Sequence, residues 1–210
     1  MFDFFLHLKT QTIIISIILI IISIFIGYII EKFRNKKLKT NMRKINIIIS
    51  PVIMFLLLIV FEFDFIQCLK YYALFTILFH ASYCDIKIRE VDDYISVMLL
   101  LVGLLNTNET NLLYMFAGAL FVFLPQIIMT FISKSVPIGG ADIKISTACG
   151  FIFGPQIGLS SLLLGLLIAL VANIIIAKVK KQKNVSFPFI PYFSIGLLGS
   201  LILFPVFLGI

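Results

Sequence analysis

Long apolar stretches separated by short polar ones dominate the hydropathy pattern of this chain. A helix needs about 20 apolar residues to cross the hydrocarbon core of a bilayer. Four stretches approach or exceed that length, and they occupy residues 13–30, 112–132, 157–177 and 189–210. The first is too long for the core of a cleavable signal peptide and no small-residue cleavage site follows it. We therefore expect a permanent membrane anchor there.

Four further apolar stretches are shorter or carry polar residues. They occupy residues 45–61, 65–84, 94–105 and 142–153. The second of them qualifies as a span if Gln67 and Lys70 lie near its outer end. The last two are short enough to be either spans or buried half-helices. The pattern predicts an all-α fold, a polytopic membrane helical bundle of about eight transmembrane segments, with six as the minimum.

The overall composition agrees with a membrane-embedded chain. Apolar residues make up 61% of the 210 positions, and the mean hydropathy is +1.14. These values exclude an ordinary soluble domain. We expect residues 1–70 to hold N-terminal membrane segments with a basic cytoplasmic loop, and residues 71–210 to form the functional core, although a single domain is also consistent with the pattern.

The positive charges are distributed unevenly between the loops. Of the 17 Lys and Arg residues, 15 fall on alternate loops, and only Lys9 and Lys70 fall on the opposite set. Basic loops stay on the cytoplasmic side of a membrane. This bias predicts a multi-pass protein of the cell (inner) membrane with both termini external. The same bias explains the net charge of +7. It indicates that the partner of the basic loops is the lipid bilayer and not nucleic acid.

Two acids, Asp85 and Asp142, stand at the cytoplasmic ends of apolar runs, each within the tripeptide Asp-Ile-Lys. An ionisable group at such a depth indicates a functional site. Brought together, they would form a carboxylate pair in which one acid activates water and the other donates a proton. Gly139 and Gly140 would let the backbone bend and a substrate strand approach. The alternative is structural: Asp142 caps a helix, and Asp85 pairs with Lys87.

The sequence has no cysteine or histidine motif of the kinds that bind zinc or form disulfides. Its three cysteines, Cys68, Cys84 and Cys149, form no C-x-x-C pair, so the sequence predicts neither a disulfide framework nor a zinc site. Its two histidines, His7 and His80, cannot form H-E-x-x-H. We therefore expect no metal and no cofactor.

Three motifs in order along the chain resemble those of the prepilin peptidases, the membrane aspartic proteases that remove leaders from type IV pilin-like proteins. "GGADIK" is similar to the family's G-x-G-D motif, which is commonly followed by a hydrophobic residue and Lys. "DIKIREVDD" is similar to the motif of the first acid, and "FPFIPYFSIGLLGS" to the start of the final helix. The chain departs from the family at Ala141, where Gly is usual, and at Asp92, where Pro is usual.

The resemblance, which covers residues 73–210, implies an aspartic endopeptidase with Asp85 and Asp142 as catalytic acids. Gly139, Gly140 and Lys144 would shape its site. Its partners would be pilin or pseudopilin precursors of a type IV pilus, a competence system or a secretion system, cut at the cytoplasmic face. The cytoplasmic loop at 31–44 has no cysteine, so we expect no N-methyltransferase activity of the kind linked to paired C-x-x-C motifs.

A basic leader would encounter both basic and acidic side chains near this site. Three acids follow the first motif, and we expect them to attract the leader: Glu90, Asp92 and Asp93.

The competing interpretation is a small membrane transporter or a structural subunit of a membrane assembly, since intramembrane acids also line ion paths. Both acids lie at one face rather than midway, and no inverted repeat is visible.

Overall fold

The structure, a computed structural model, describes residues 10–38, 45–60, 64–105, 112–132, 138–180 and 188–203. These ranges hold seven α-helices and no β-strand. In chain order the helices are α1 (Thr10–Leu38), α2 (Ile45–Val60), α3 (Phe65–Ile88), α4 (Tyr94–Leu104), α5 (Leu112–Ile132), α6 (Gly140–Lys180) and α7 (Ile190–Leu203). The predicted all-helical class is confirmed.

Three of the helices within the described ranges are long and apolar enough to cross a membrane. Their qualifying segments are Thr12–Ile29, Leu112–Ile132 and Gly140–Val179. Three shorter apolar helices cover Ile48–Ile59, Tyr94–Leu104 and Ile190–Leu203. A membrane protein is therefore supported, whereas the count of about eight spans stays a prediction. The end of the last predicted segment, residues 204–210, lies outside the described residues.

Helix α6 unites two of the predicted segments. Its backbone leaves the helical conformation at Gly154, where φ is 77° and ψ is 179°, and Pro155 follows directly. The positive φ suits glycine, because a side chain there would be strained and would also collide with the ring of Tyr114. The break divides α6 into a short N-terminal part that carries Asp142 and a long apolar part.

The chain divides into two compact units, Met1–Tyr72 and Ala73–Ile210. In the first, polar groups join α1, α2 and the beginning of α3. The Ser50 hydroxyl donates to the Ser23 carbonyl oxygen at 2.7 Å and also contacts the Tyr72 hydroxyl, which lies 3.1 Å from the same carbonyl. Such bonds between apolar helices satisfy groups that lipid cannot. The assignment of membrane segments to residues 1–70 and of the functional core to residues 71–210 remains a prediction.

The second unit is held together by close approaches of helix backbones at glycine. An alanine Cβ at 118 in α5 would lie 2.6 Å from the backbone carbon of Gly154 and would overlap the Gly150 carbonyl oxygen. Between α6 and α7, a Cβ at 165 would lie 2.8 Å from the Phe193 Cα. These contacts leave no room for a methyl group. Packing of small residues is what allows membrane helices to associate this closely.

We expect Gly118→Ala to destabilise the second unit. The added methyl meets backbone rather than a movable side chain, and overpacking of this kind costs about 1–3 kcal/mol. Gly199→Ala is the matched control, since its nearest neighbour would be Leu164 Cδ1 at an ordinary 3.9 Å. Thermal unfolding in detergent measures both. An unchanged midpoint for Gly118→Ala would contradict the packing described for α5 and α6.

Candidate active site

Asp85 lies in the last turn of α3, and its carboxyl group contacts the beginning of α7. The side chain is buried, with 8% of its surface exposed. Its Oδ2 atom accepts a hydrogen bond from the backbone N–H of Ile190 at 3.1 Å, and the Phe189 N–H also acts on it. The amino end of a helix offers unpaired N–H groups and a partial positive charge. Asp85 is thereby bound to backbone 105 residues away.

The sequence around Ile190 explains why a helix begins there. Pro188 and Pro191 flank the start of α7, and proline is well suited to a first helical turn because it lacks an N–H that would need a partner. Phe193 N–H donates to the Phe189 carbonyl oxygen at 3.0 Å, which closes the first turn. The N–H of Ile190, between the prolines, is left to donate outward to Asp85.

Opposing influences act on the proton affinity of Asp85, which follows the predicted span at residues 65–84. Burial raises the pKa of its carboxyl group above the ordinary value, and this is the largest effect. The Ile190 N–H, the Arg89 guanidinium and the Phe189 N–H each lower the pKa and only partly offset burial. Desolvation disfavours a charged carboxylate, while hydrogen-bond donors and a nearby cation favour it.

Helix α3 ends at Ile88, one turn after Asp85, and a residue in the left-handed conformation follows it. Arg89 has φ of 57°, and its N–H donates to the Asp85 carbonyl oxygen at 3.2 Å. A residue in this conformation commonly closes a helix, although glycine is the usual choice. The chain turns away there, and α4 begins at Tyr94.

Asp142 lies in the first turn of α6, partly buried, and close enough to Asp85 for the charge of Asp85 to act on it. Its Oδ2 atom folds back towards Gly139, where an added Cβ would lie 2.8 Å away. A side chain at 139 would therefore displace the carboxyl group. Gly140 differs, since a Cβ there would meet none of the described residues within 4 Å. The backbone at Gly140 is open to an approaching chain.

Lys144 forms an ion pair with Asp93, with Nζ and Oδ1 2.7 Å apart. The pair joins the segment between α3 and α4 to the first turns of α6, the helix that carries Asp142. Both side chains are largely exposed, at 53% for Lys144 and 75% for Asp93. Exposed pairs contribute only about 0–1 kcal/mol. Glu90 and Asp92 are exposed in the same segment.

The structure places the predicted residues as follows. Asp85 lies near enough to Asp142 for its charge to act on that residue, Gly139 lies against Asp142, and Lys144 forms an ion pair with Asp93. Among the described residues, Asp85 and Lys87 do not form the ion pair that the structural alternative required. The catalytic and leader-binding roles of these residues stay predictions.

The cysteines and other possible metal ligands form no second candidate site within the described ranges. No group of three or more His, Cys, Asp or Glu side chains is placed to hold a metal ion there. All three cysteines are buried thiols, and Cys84 lies 3.7 Å from His80 Nε2 on the same face of α3. The expectation of a site without metal or cofactor remains a prediction.

Comparison with known proteins bears on the region that holds both acids. The model of the type IV leader peptidase family matches residues 72–178, slightly more than half of the chain. The match includes Asp85 and Asp142 and ends before α7. Neither the curated proteins nor the solved structures contain a significant match.

We expect Asp85→Asn to stabilise the protein more at pH 8 than at about pH 3, which lies below the ordinary pKa of an aspartate. The raised pKa means that the folded state holds this proton more tightly than the unfolded state does, so ionisation lowers stability as pH rises through the folded pKa. The amide removes that loss and still accepts from Ile190. Unfolding midpoints of both proteins across pH test this, with Glu90→Gln as the exposed control. A difference that shrinks as pH rises would contradict it.

Proposed function

Because the chain belongs to the type IV leader peptidase family, we propose that it is an aspartic endopeptidase. Its substrates would be type IV pilin-like precursors, whose short basic leaders it removes at the cytoplasmic face of the membrane. The observation that carries the proposal is the proximity of Asp85 and Asp142, two acids from separate helices within the matched region, which are near enough for the charge of one to act on the other. Carboxylate pairs of this kind share one proton, because like charges at close range resist double ionisation.

The hydrogen bonds around the pair suggest which acid carries the proton. Asp85 accepts from backbone N–H groups at the amino end of α7, and such donors favour an anion. Asp142 has Asp85 beside it as a nearby negative charge. We therefore assign the base to Asp85 and the acid to Asp142.

These assignments give a complete hydrolysis. Asp85 takes a proton from water as the water oxygen bonds to the scissile carbonyl carbon, and Asp142 gives its proton to the carbonyl oxygen. The tetrahedral species then collapses. The proton on Asp85 passes to the leaving nitrogen, the carbon–nitrogen bond breaks, and one hydroxyl proton returns to Asp142 as the new carboxyl group forms. Both carboxyl groups end as they began.

The surroundings of the pair suit a membrane-anchored substrate with a basic leader. Open space at Gly140 leaves room for an extended chain beside Asp142. Glu90 and Asp92 are exposed close by, while Lys144 is paired with Asp93. Complementary charge of this kind guides encounter between partners. We further propose peptidase activity alone, without methylation of the new amino terminus.

We expect Asp85→Asn and Asp142→Asn each to reduce leader cleavage by on the order of 10²–10⁴, the usual contribution of general acid–base catalysis. Purified variants in detergent, with a substrate that joins a basic leader to an apolar helix, provide the assay. The matched control is Asp64→Asn, because Asp64 is exposed and caps the opposite end of α3 by accepting from the Ile66 and Gln67 N–H groups. Near-normal cleavage by either active-site variant would overturn the proposal.

Reversal of the exposed acids, with Glu90→Lys and Asp92→Lys combined, should weaken cleavage of a basic leader. Loss of attraction slows encounter by on the order of tenfold at low salt, and the effect should fade where the screening length is about 10 Å or less. A substrate with a neutral leader serves as the control and should respond little. Asp93 is tested separately, since its reversal also breaks the pair with Lys144. Equal losses for both leaders would argue against charge recognition here.

A further inference from the structure

Two buried polar side chains lie between α5 and the first turns of α6, next to the proposed catalytic acid. Gln126 on α5 is 5% exposed and Ser146 on α6 is 1% exposed. We propose that Gln126 is a positioning residue which, through Ser146, fixes the turn of α6 that carries Asp142. This inference rests on the proposed function.

The hydrogen bonds form a continuous chain from one helix backbone to the other. Gln126 Nε2 donates to the Val122 carbonyl oxygen at 2.9 Å and to Ser146 Oγ at 2.8 Å. The Ser146 hydroxyl donates in turn to the carbonyl oxygen of Asp142 at 2.6 Å, its shortest acceptor. Both amide protons and the single hydroxyl proton are thereby used.

The arrangement restricts rotation and sliding of α6 against α5. A serine in a helix ordinarily satisfies itself on the carbonyl four residues earlier, and Ser146 does so with Asp142. The additional bond from Gln126 crosses between helices. If α6 turned away, an amide proton would lose its partner in a buried, apolar setting, which costs about 1–3 kcal/mol. The first turn of α6 is therefore held in one register.

Gln126 acts on the reaction only through that register. It is buried, and it reaches Asp142 by way of Ser146 and the backbone carbonyl rather than the carboxyl group. A displacement of about 1 Å in a reacting group can cost on the order of 10² in rate. Loss of this bond should consequently lower kcat and leave binding of the leader unchanged.

Gln126→Leu and Ser146→Ala are the informative variants. We expect each to lower kcat for leader cleavage by about 10- to 100-fold with KM within a factor of about two. The double variant should be little worse than either single one, because the two residues act as one unit. Ser161→Ala is the matched control: Ser161 is fully buried on the same helix and bonds the Ile157 carbonyl oxygen at 2.5 Å.

A second measurement reads the position of α6 without relying on activity. Asp93→Cys and Lys144→Cys place thiols at the two members of the ion pair, and a short bifunctional thiol reagent should join them rapidly in the otherwise unchanged protein. We expect Gln126→Leu and Ser146→Ala to slow this cross-linking and Ser161→Ala to leave it unchanged. Unfolding midpoints establish the fraction of folded protein for each variant, so rates refer to folded molecules.

The outcomes separate the two proposals. Cleavage by the unaltered protein together with unchanged kcat and cross-linking in Gln126→Leu and Ser146→Ala overturns the positioning role alone. A rise in KM at constant kcat also overturns it, since the residues would then serve binding. Absence of any leader cleavage by the unaltered protein overturns the proposed function, and slower cross-linking in the variants would still support the positioning of this turn.

Discussion

The bond between the Asp85 carboxyl group and the amino end of α7 is the contact on which the proposed site depends. It gives a buried acid two backbone donors, Ile190 N–H and Phe189 N–H, and it joins two helices that are far apart in the chain. Ser82 and Ser194 reinforce the same pair of helices, with hydroxyl oxygens 3.1 Å apart. Without such donors, desolvation would raise the pKa of the Asp85 carboxyl group further.

A second constraint positions the other acid. Asp142 depends on α6, which in turn is set by backbone approaches to α5 at Gly118 and to α7 at Gly165. These approaches have no tolerance for a methyl group, so the helices can neither separate nor slide by small steps without losing contact. Stiff packing of this kind suits a reaction that needs two carboxyl groups at a fixed spacing.

The sequence predicted the helical class and pointed to both acids, because apolar run length and the repeated Asp-Ile-Lys tripeptide are local signals. It divided α6 into two segments at the place where Gly154 and Pro155 break the helix. It did not reveal the α7 backbone as the partner of Asp85, since a contact across 105 residues leaves no local pattern. Pro188 and Pro191, within the motif that resembles the start of the family's final helix, were the available signal, which indicated a helix start but not the acceptor of its N–H groups.

The pairing of Lys144 with Asp93 and the bond from Gln126 to Ser146 also escaped sequence reasoning. From the sequence, Lys144 was expected to shape the site and Asp93 to attract a basic leader. In the structure the two side chains form an ion pair with each other. Gln126 stood as a polar residue within an apolar run, a recognisable signal of a buried hydrogen bond. Its partner required the register of two helices, which no spacing within one helix provides.

Arg89 closes α3 in a conformation that costs an ordinary side chain on the order of 1 kcal/mol relative to glycine. Glycine at this position would relax the backbone but would remove the cation that helps Asp85 to ionise. Backbone strain at position 89 therefore favours glycine, whereas ionisation of Asp85 favours arginine. A variant with glycine at 89 would be more stable and would carry a more weakly acidic Asp85, so tolerance to heat and the pH at which Asp85 ionises would be linked through a single helix terminus.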